Sequence, residues 1–163
     1  YESVLLNAVA RFEGVLNQLL EEFVCGYSSS KSGHFRLLTP RSRDGFRQIL
    51  TNGRPYIDLM PYPRCIEISK RFLNDGLPFS SVSAPDHDIL ENIGYIRNAI
   101  AHRSDSAMQK FRVKVSGVAS LTPPRRFPGP YLRHVYRSHP AATWNDLCLD
   151  TLEKVGVQLA TSW

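Results

Sequence analysis

Nine apolar residues between Val4 and Phe23 recur at the spacing of a single helix face: Val4, Leu5, Ala8, Val9, Phe12, Leu16, Leu19, Leu20 and Phe23. Strict alternation, the mark of a half-buried strand, is missing from that stretch, so residues 1–25 are predicted to be one long amphipathic helix. An apolar face that wide has to be covered by other elements. The end of the chain offers a matching partner. Thr143 is placed to cap a helix, and Trp144, Leu147, Cys148, Leu152, Val155 and Leu159 follow at helical spacing. A third stripe, Ile89, Ile93, Ile96 and Ile100, follows a helix-start signature at Ser83-Ala84-Pro85-Asp86. Three such faces predict an all-α fold, a compact bundle of about four to five helices.

Between them the signals are weaker. Residues 26–40 are rich in Ser and Gly and read as a loop. Arg43 to Thr51 is predicted as a short helix ended by Asn52-Gly53, and residues 54–63, with three prolines, as irregular. Arg64 to Asn74 is predicted as a helix closed by Asp75-Gly76, and Pro78 to Pro85 as a linker. Phe111 to Val115 alternates apolar and basic residues, which predicts a short strand. Thr122 to Pro130 holds four prolines and is predicted to be non-helical.

A length of 163 residues fits one domain. No apolar run is long enough for a membrane span. The first residue is Tyr, so we expect a single domain, 1–163, of a longer protein. Cys25, Cys65 and Cys148 are odd in number and far apart, which fits buried thiols of a reducing, cytoplasmic compartment rather than a disulfide or metal set. No metal or other cofactor is expected.

The net charge is +5, carried by 15 Arg against 5 Lys. Arginine is the better fork for phosphate. No Asp or Glu lies between Asp105 and Asp146, a window holding Lys110, Arg112, Lys114, Arg125, Arg126, Arg133 and Arg137. A second acid-free window, Glu22 to Asp44, holds Lys31, Arg36, Arg41 and Arg43. Such windows point to a polyanion partner; the bland alternative is a solvated loop with a chance bias.

The stretch with chemistry in it is Arg97-Asn98-Ala99-Ile100-Ala101-His102, at the end of the isoleucine helix. An arginine can hold phosphate and a histidine can move protons near neutral pH. Spacing alone is weak, since Arg133 to His139 is a second match. At about 100° per residue, Arg97 lies on the shoulder of the stripe, while Asn98 and His102 lie opposite it, one turn apart. Asn98 could thus hold the His102 ring. Arg97 and His102 are about 140° apart on a straight helix. Either the helix ends before His102, or a second copy of the chain completes the pair across a two-fold axis.

Arg-Asn-x-x-Ala-His at the end of a late helix, with long first and last helices, resembles the signature of the HEPN superfamily. The resemblance covers most of the chain except its middle third. It implies an α-helical domain, usually a homodimer joined through the motif helix. In such a dimer Arg97 and His102 of both copies, with Asn98, form a metal-independent ribonuclease site. Many members are toxins, phage-defence effectors or RNA-processing enzymes, so additional domains or an antitoxin or other regulator are candidate partners. Some members lack the motif, so the alternative is a catalytically silent RNA- or nucleotide-binding dimerisation module. One toxin subfamily carries a tyrosine two residues after the histidine; position 104 here is Ser. HEPN-like domains often place a polar or acidic residue on an early helix near the site, which makes Glu13 a supporting residue that could orient Arg97; the alternative is a solvated carboxylate. Arg103, Arg112, Lys114, Arg125 and Arg126 are the candidate RNA-binding cations. Because the nucleophile would be the substrate's own 2′-OH, DNA should be inert.

Overall fold

A computed structural model describes residues 1–26, 36–51, 57–117, 126–136 and 142–162. Seven α-helices occur among them, more than the four to five expected, and no strand does. They are α1 (Glu2–Cys25), α2 (Arg43–Thr51), α3 (Pro63–Ser69), α4 (Ala84–His102), α5 (Asp105–Phe111), α6 (Pro128–Arg133) and α7 (Trp144–Ala160). The all-α class is as the apolar periodicity predicted.

The long helices α1, α4 and α7 pack on one another. Leu5, Val9, Leu16 and Leu20 of α1 meet Ile93 and Ile96 of α4 and Val155 and Leu159 of α7 in one core, all of them fully buried. Each such side chain contributes about 1.5–3 kcal/mol through the apolar area it removes from water. The buried face of α4 is wider than the isoleucine stripe, for Leu90, Gly94 and Ala99 are buried with Ile93, Ile96 and Ile100. A polar tie joins α7 to the start of α4. Lys154 Nζ donates to both Asp86 carboxylate oxygens, at 3.0 and 2.8 Å.

Helix ends follow capping chemistry. Ser83 Oγ accepts from the Asp86 N–H at the start of α4. Thr143 and Asp146 form a reciprocal capping box at the start of α7. At its C-terminus α4 closes on Arg103, whose backbone sits in the left-handed region (φ 49°) and whose N–H bonds Ala99 O at 3.2 Å. Ser104 then caps α5 through the Ala107 N–H. This two-residue elbow carries α5 back against α4.

Three expectations are corrected. Phe111 to Val115 is helical, not a strand, with α5 running into a single π-turn over Arg112–Ser116. Phe111 and Val115 are four residues apart as well as alternating; both are buried while Val113 is exposed, so the helical period prevails. Arg64 to Asn74 is not one helix. It stops at Ser69, whose hydroxyl bonds back to Ile66 O at 2.9 Å, and Asp75 and Gly76 turn the chain with φ of 52° and 75°. The four-proline stretch ends in a helix, because Pro128 and Pro130 fall in the first turn of α6, where backbone N–H groups have no intrahelical partner to lose. Its beginning, residues 122–125, lies outside the described residues, as do residues 27–35 of the Ser/Gly loop.

Cys65 and Cys148 are buried thiols and Cys25 is half-buried, none in a disulfide. Among the described residues no helix is long and apolar enough to cross a membrane.

Candidate functional site

The motif residues open onto one cleft of about 680 Å³, lined by Arg97, Asn98 and His102 of α4 together with Tyr95. Ser104, Ser106, Ala107 and Lys110 on the elbow and α5, and Lys114 on the π-turn, form a second side. Asp58 and Pro61, from the loop before α3, form a third. That loop lies directly on α4 because residue 94 is Gly; a Cβ there would come within 2.7 Å of Pro61 Cβ.

The α4 helix runs through His102, so the motif is not split by a helix end. Arg97 and His102 nevertheless line the same cleft in one chain. A long arginine side chain on the shoulder of the stripe reaches around the helix, so the angle of about 140° does not by itself demand a second copy.

Arg97 is held on two sides. One guanidinium nitrogen donates to Asn98 Oδ1 at 2.9 Å, and the other lies 3.8 Å from Glu13 Oε2. Glu13 of α1 is thus the carboxylate beside Arg97. Glu13 is mostly buried, and burial raises its carboxyl pKa above the ordinary value; Arg97 acts against that rise and the nearby Asp58 carboxylate adds to it. Glu13 Oε1 and Asp58 Oδ1 are buried oxygens with no hydrogen-bond partner among the described residues. The remaining Asp58 oxygen accepts from Arg64 at 3.3 Å.

Asn98 serves Arg97 rather than the imidazole. His102 is exposed and has no hydrogen-bond or ion-pair partner among the described residues. Its ring is open to a ligand entering the cleft.

Of the five candidate RNA-binding cations, Lys114 lines the cleft. Arg103 is exposed and lies 3.9 Å from Glu2. The Arg112 guanidinium sits over the Phe127 ring, 5.5 Å from its centroid. Arg126 is exposed outside the cleft, and Arg125 is outside the described residues. Two cations of the earlier acid-free window are used within the fold: Arg36 Nε donates to Phe23 O at the end of α1, and Arg43 pairs with Glu22 at 2.7 Å.

Lys110, Tyr95 and Asp58 belong to the cleft but were not among the sequence candidates. Tyr95 could have been found, since it shares a helix face with Asn98 and His102 at spacings of three and seven. Lys110 and Lys114 become neighbours only once the strand is read as a helix. Asp58 comes from an irregular loop, for which the sequence offers no periodic signal.

No protein-family model, curated protein or solved structure matches this chain. The HEPN likeness accordingly rests on the motif and the helix layout.

Proposed function

We propose that this chain is a HEPN-like, metal-independent endoribonuclease. The observation that carries the reading is that Arg97, Asn98 and His102 line one cleft with Lys110 and Lys114. Strand cleavage by the 2′-OH needs a base for that hydroxyl, a cation at the pentacoordinate phosphate and an acid for the leaving 5′-oxygen. His102 takes the 2′-OH proton. Arg97, steadied by Asn98 and Glu13, holds the phosphate oxygens as charge builds on them. Lys110 and Lys114 attract the strand. Among the described residues the cleft lining contains a single imidazole, whereas the reaction moves two protons. A homodimer across α4 would bring a second His102 as the acid. A role as a toxin or phage-defence effector in the cytoplasm, held by an antitoxin or other regulator, follows from the resemblance.

The test is incubation of labelled single-stranded RNA with the protein in EDTA, beside its His102→Ala variant. The expected products carry 2′,3′-cyclic phosphate ends and disappear with the variant. Cleavage only on addition of Mg²⁺ or Mn²⁺ would exclude this mechanism.

The second reading is a catalytically silent RNA- or nucleotide-binding module. It is favoured by His102 having no hydrogen-bond partner among the described residues to orient its ring. RNA binding without cleavage would select it.

A further inference from the structure

Among the described residues Tyr95 is the one aromatic side chain in the cleft lining, and the roles given to Arg97, Asn98 and His102 leave it unused. It lies two turns before His102 on the same face of α4, about 10 Å along the axis. Asn98 is between them. Its ring is half-buried and packs against the core, so its position is fixed by the fold. Its hydroxyl donates to Glu91 Oε1 at 3.0 Å, one turn farther from the motif. Burial and then Glu91 raise the phenol's pKa, which keeps the hydroxyl protonated and engaged away from any scissile bond. What Tyr95 offers the cleft is ring surface.

The surroundings fit one kind of ligand part. Pro61 lies against Gly94, beside Tyr95, and gives an apolar neighbour at the same level of the helix. The cations Arg97, Lys110 and Lys114 and the His102 ring line the same cleft. An apolar, aromatic level next to a cationic one matches a nucleotide, with a flat base on one side and phosphate on the other. Protein aromatics bind unpaired bases by stacking, irrespective of base identity.

We infer that Tyr95 is a base-stacking platform for a nucleotide adjoining the phosphate held at Arg97, which makes the substrate single-stranded RNA. In a duplex the base is already stacked and paired, so it would have to leave the helix to reach the ring. The inference rests on the ribonuclease reading for its substrate class, while its test is made on binding.

The probe is an uncleavable 2′-O-methyl pentanucleotide, compared with the same sugar–phosphate strand made without bases. Both are titrated into wild type, Tyr95→Leu and Tyr95→Phe. Stacking on an aromatic is worth about 1–3 kcal/mol per base, so Tyr95→Leu should weaken the base-bearing strand by roughly five- to 150-fold. The base-free strand should bind wild type and Tyr95→Leu alike, which also shows that the variant is folded. Tyr95→Phe, which keeps the ring and drops the Glu91 bond, should recover the affinity. Equal affinity of wild type and Tyr95→Leu for the base-bearing strand overturns the inference. So does an equal loss on both strands. A ribose version of the strand, left with wild type, reads cleavage separately. If it is bound but stays intact, the ribonuclease reading falls while the stacking cycle still decides for or against Tyr95. If wild type binds neither strand, both fall.

Discussion

Asn98 accepts a hydrogen bond at 2.9 Å from Arg97, the residue immediately before it in the chain. Two adjacent residues on a helix point about 100° apart, so this bond forms because the arginine folds back across the helix surface. The guanidinium thus lines the cleft while its other nitrogen stays 3.8 Å from Glu13 of α1. Hydrogen bonds to charged groups contribute about 1.5–3 kcal/mol. We expect Asn98→Ala to lower RNA cleavage by roughly tenfold or more, through a phosphate contact that is less well aimed. The pH profile of cleavage should keep its shape, since Asn98 does not touch the imidazole. A shifted limb in that profile would reassign Asn98 to His102.

His102→Ala should abolish cleavage without loss of thermal stability. The side chain is exposed, so its truncation opens no core cavity. Arg97→Lys keeps the charge but loses the planar fork that grips two phosphate oxygens and reaches Asn98 and Glu13 together. It too should be badly impaired. Wild-type rates in the lysine variant would reduce Arg97 to a diffuse positive charge. Mixing His102→Ala chains with Arg97→Ala chains examines the dimer: recovery of activity in the mixture means that the copies share their sites.

Glu13 sets two effects against each other. Burial, the larger, raises its pKa; Arg97 at 3.8 Å opposes the rise. An acid whose pKa is higher folded than unfolded binds protons more tightly in the fold. Its ionised form therefore costs stability once the pH is above the folded pKa, and the cost vanishes below the unfolded value. Glu13→Gln should accordingly raise the melting temperature at pH 7 slightly, by about 1–3 °C. Cleavage should drop severalfold as Arg97 loses its carboxylate. A fall of several degrees would mean that the ion pair outweighs burial.

These assignments show where the sequence was readable. The three long helices announced themselves because one apolar face per helix must be covered, and Ser83 and Thr143 marked two starts through their caps. Arg97 and His102 were singled out by residue type, helix context and the resemblance, and both line the cleft. The short elements were not found so well. Over five residues, Phe111 to Val115 satisfies both the strand and the helix period, and only contact with the core decides between them. That misreading hid Lys110 and Lys114 as a pair. The prolines at 128 and 130 looked like a bar to helix until their place in a first turn was known. Asp58 enters the cleft through Pro61 resting on Gly94, a long-range contact with no local trace.

Asp86 ties the start of the motif helix to α7. Its side chain is 9% exposed, and Lys154, with the Ser83 hydroxyl, holds its carboxyl below the ordinary aspartate range. A depressed acid contributes stability that is complete above its unfolded pKa, near ~3.9. That contribution is lost as the pH falls through the lower folded value. Asp86→Asn should therefore melt below wild type at pH 7, and the gap should begin to narrow below about pH 4 and close as the pH falls past the folded value. Lys154→Met leaves a buried carboxylate short of its main donor, for a cost of about 1–2 kcal/mol at pH 7, moderated by the exposure of the lysine. A gap that persists unchanged at pH 3 would show that packing of the aspartate, and not its charge, supports the helix start.

Lys110 and Lys114 lie one turn apart and face the cleft that holds Arg97 and His102. Each cation that neutralises a phosphate of a single strand contributes about 0.7 to the log–log dependence of affinity on salt. Reversing both to Glu should weaken RNA binding and lower that slope by about 1.4. Arg112, in the same basic window, is a different case. Its guanidinium is stacked over Phe127, outside the cleft lining. Arg112→Glu should therefore change the slope far less than the lysine pair. The window's unpaired charge alone would make the effects scale with the number of charges reversed, wherever they lie. Placement in the cleft makes them scale with position. A slope that drops as much for Arg112→Glu as for one of the lysines would move the RNA path off the cleft and onto the Phe127 surface.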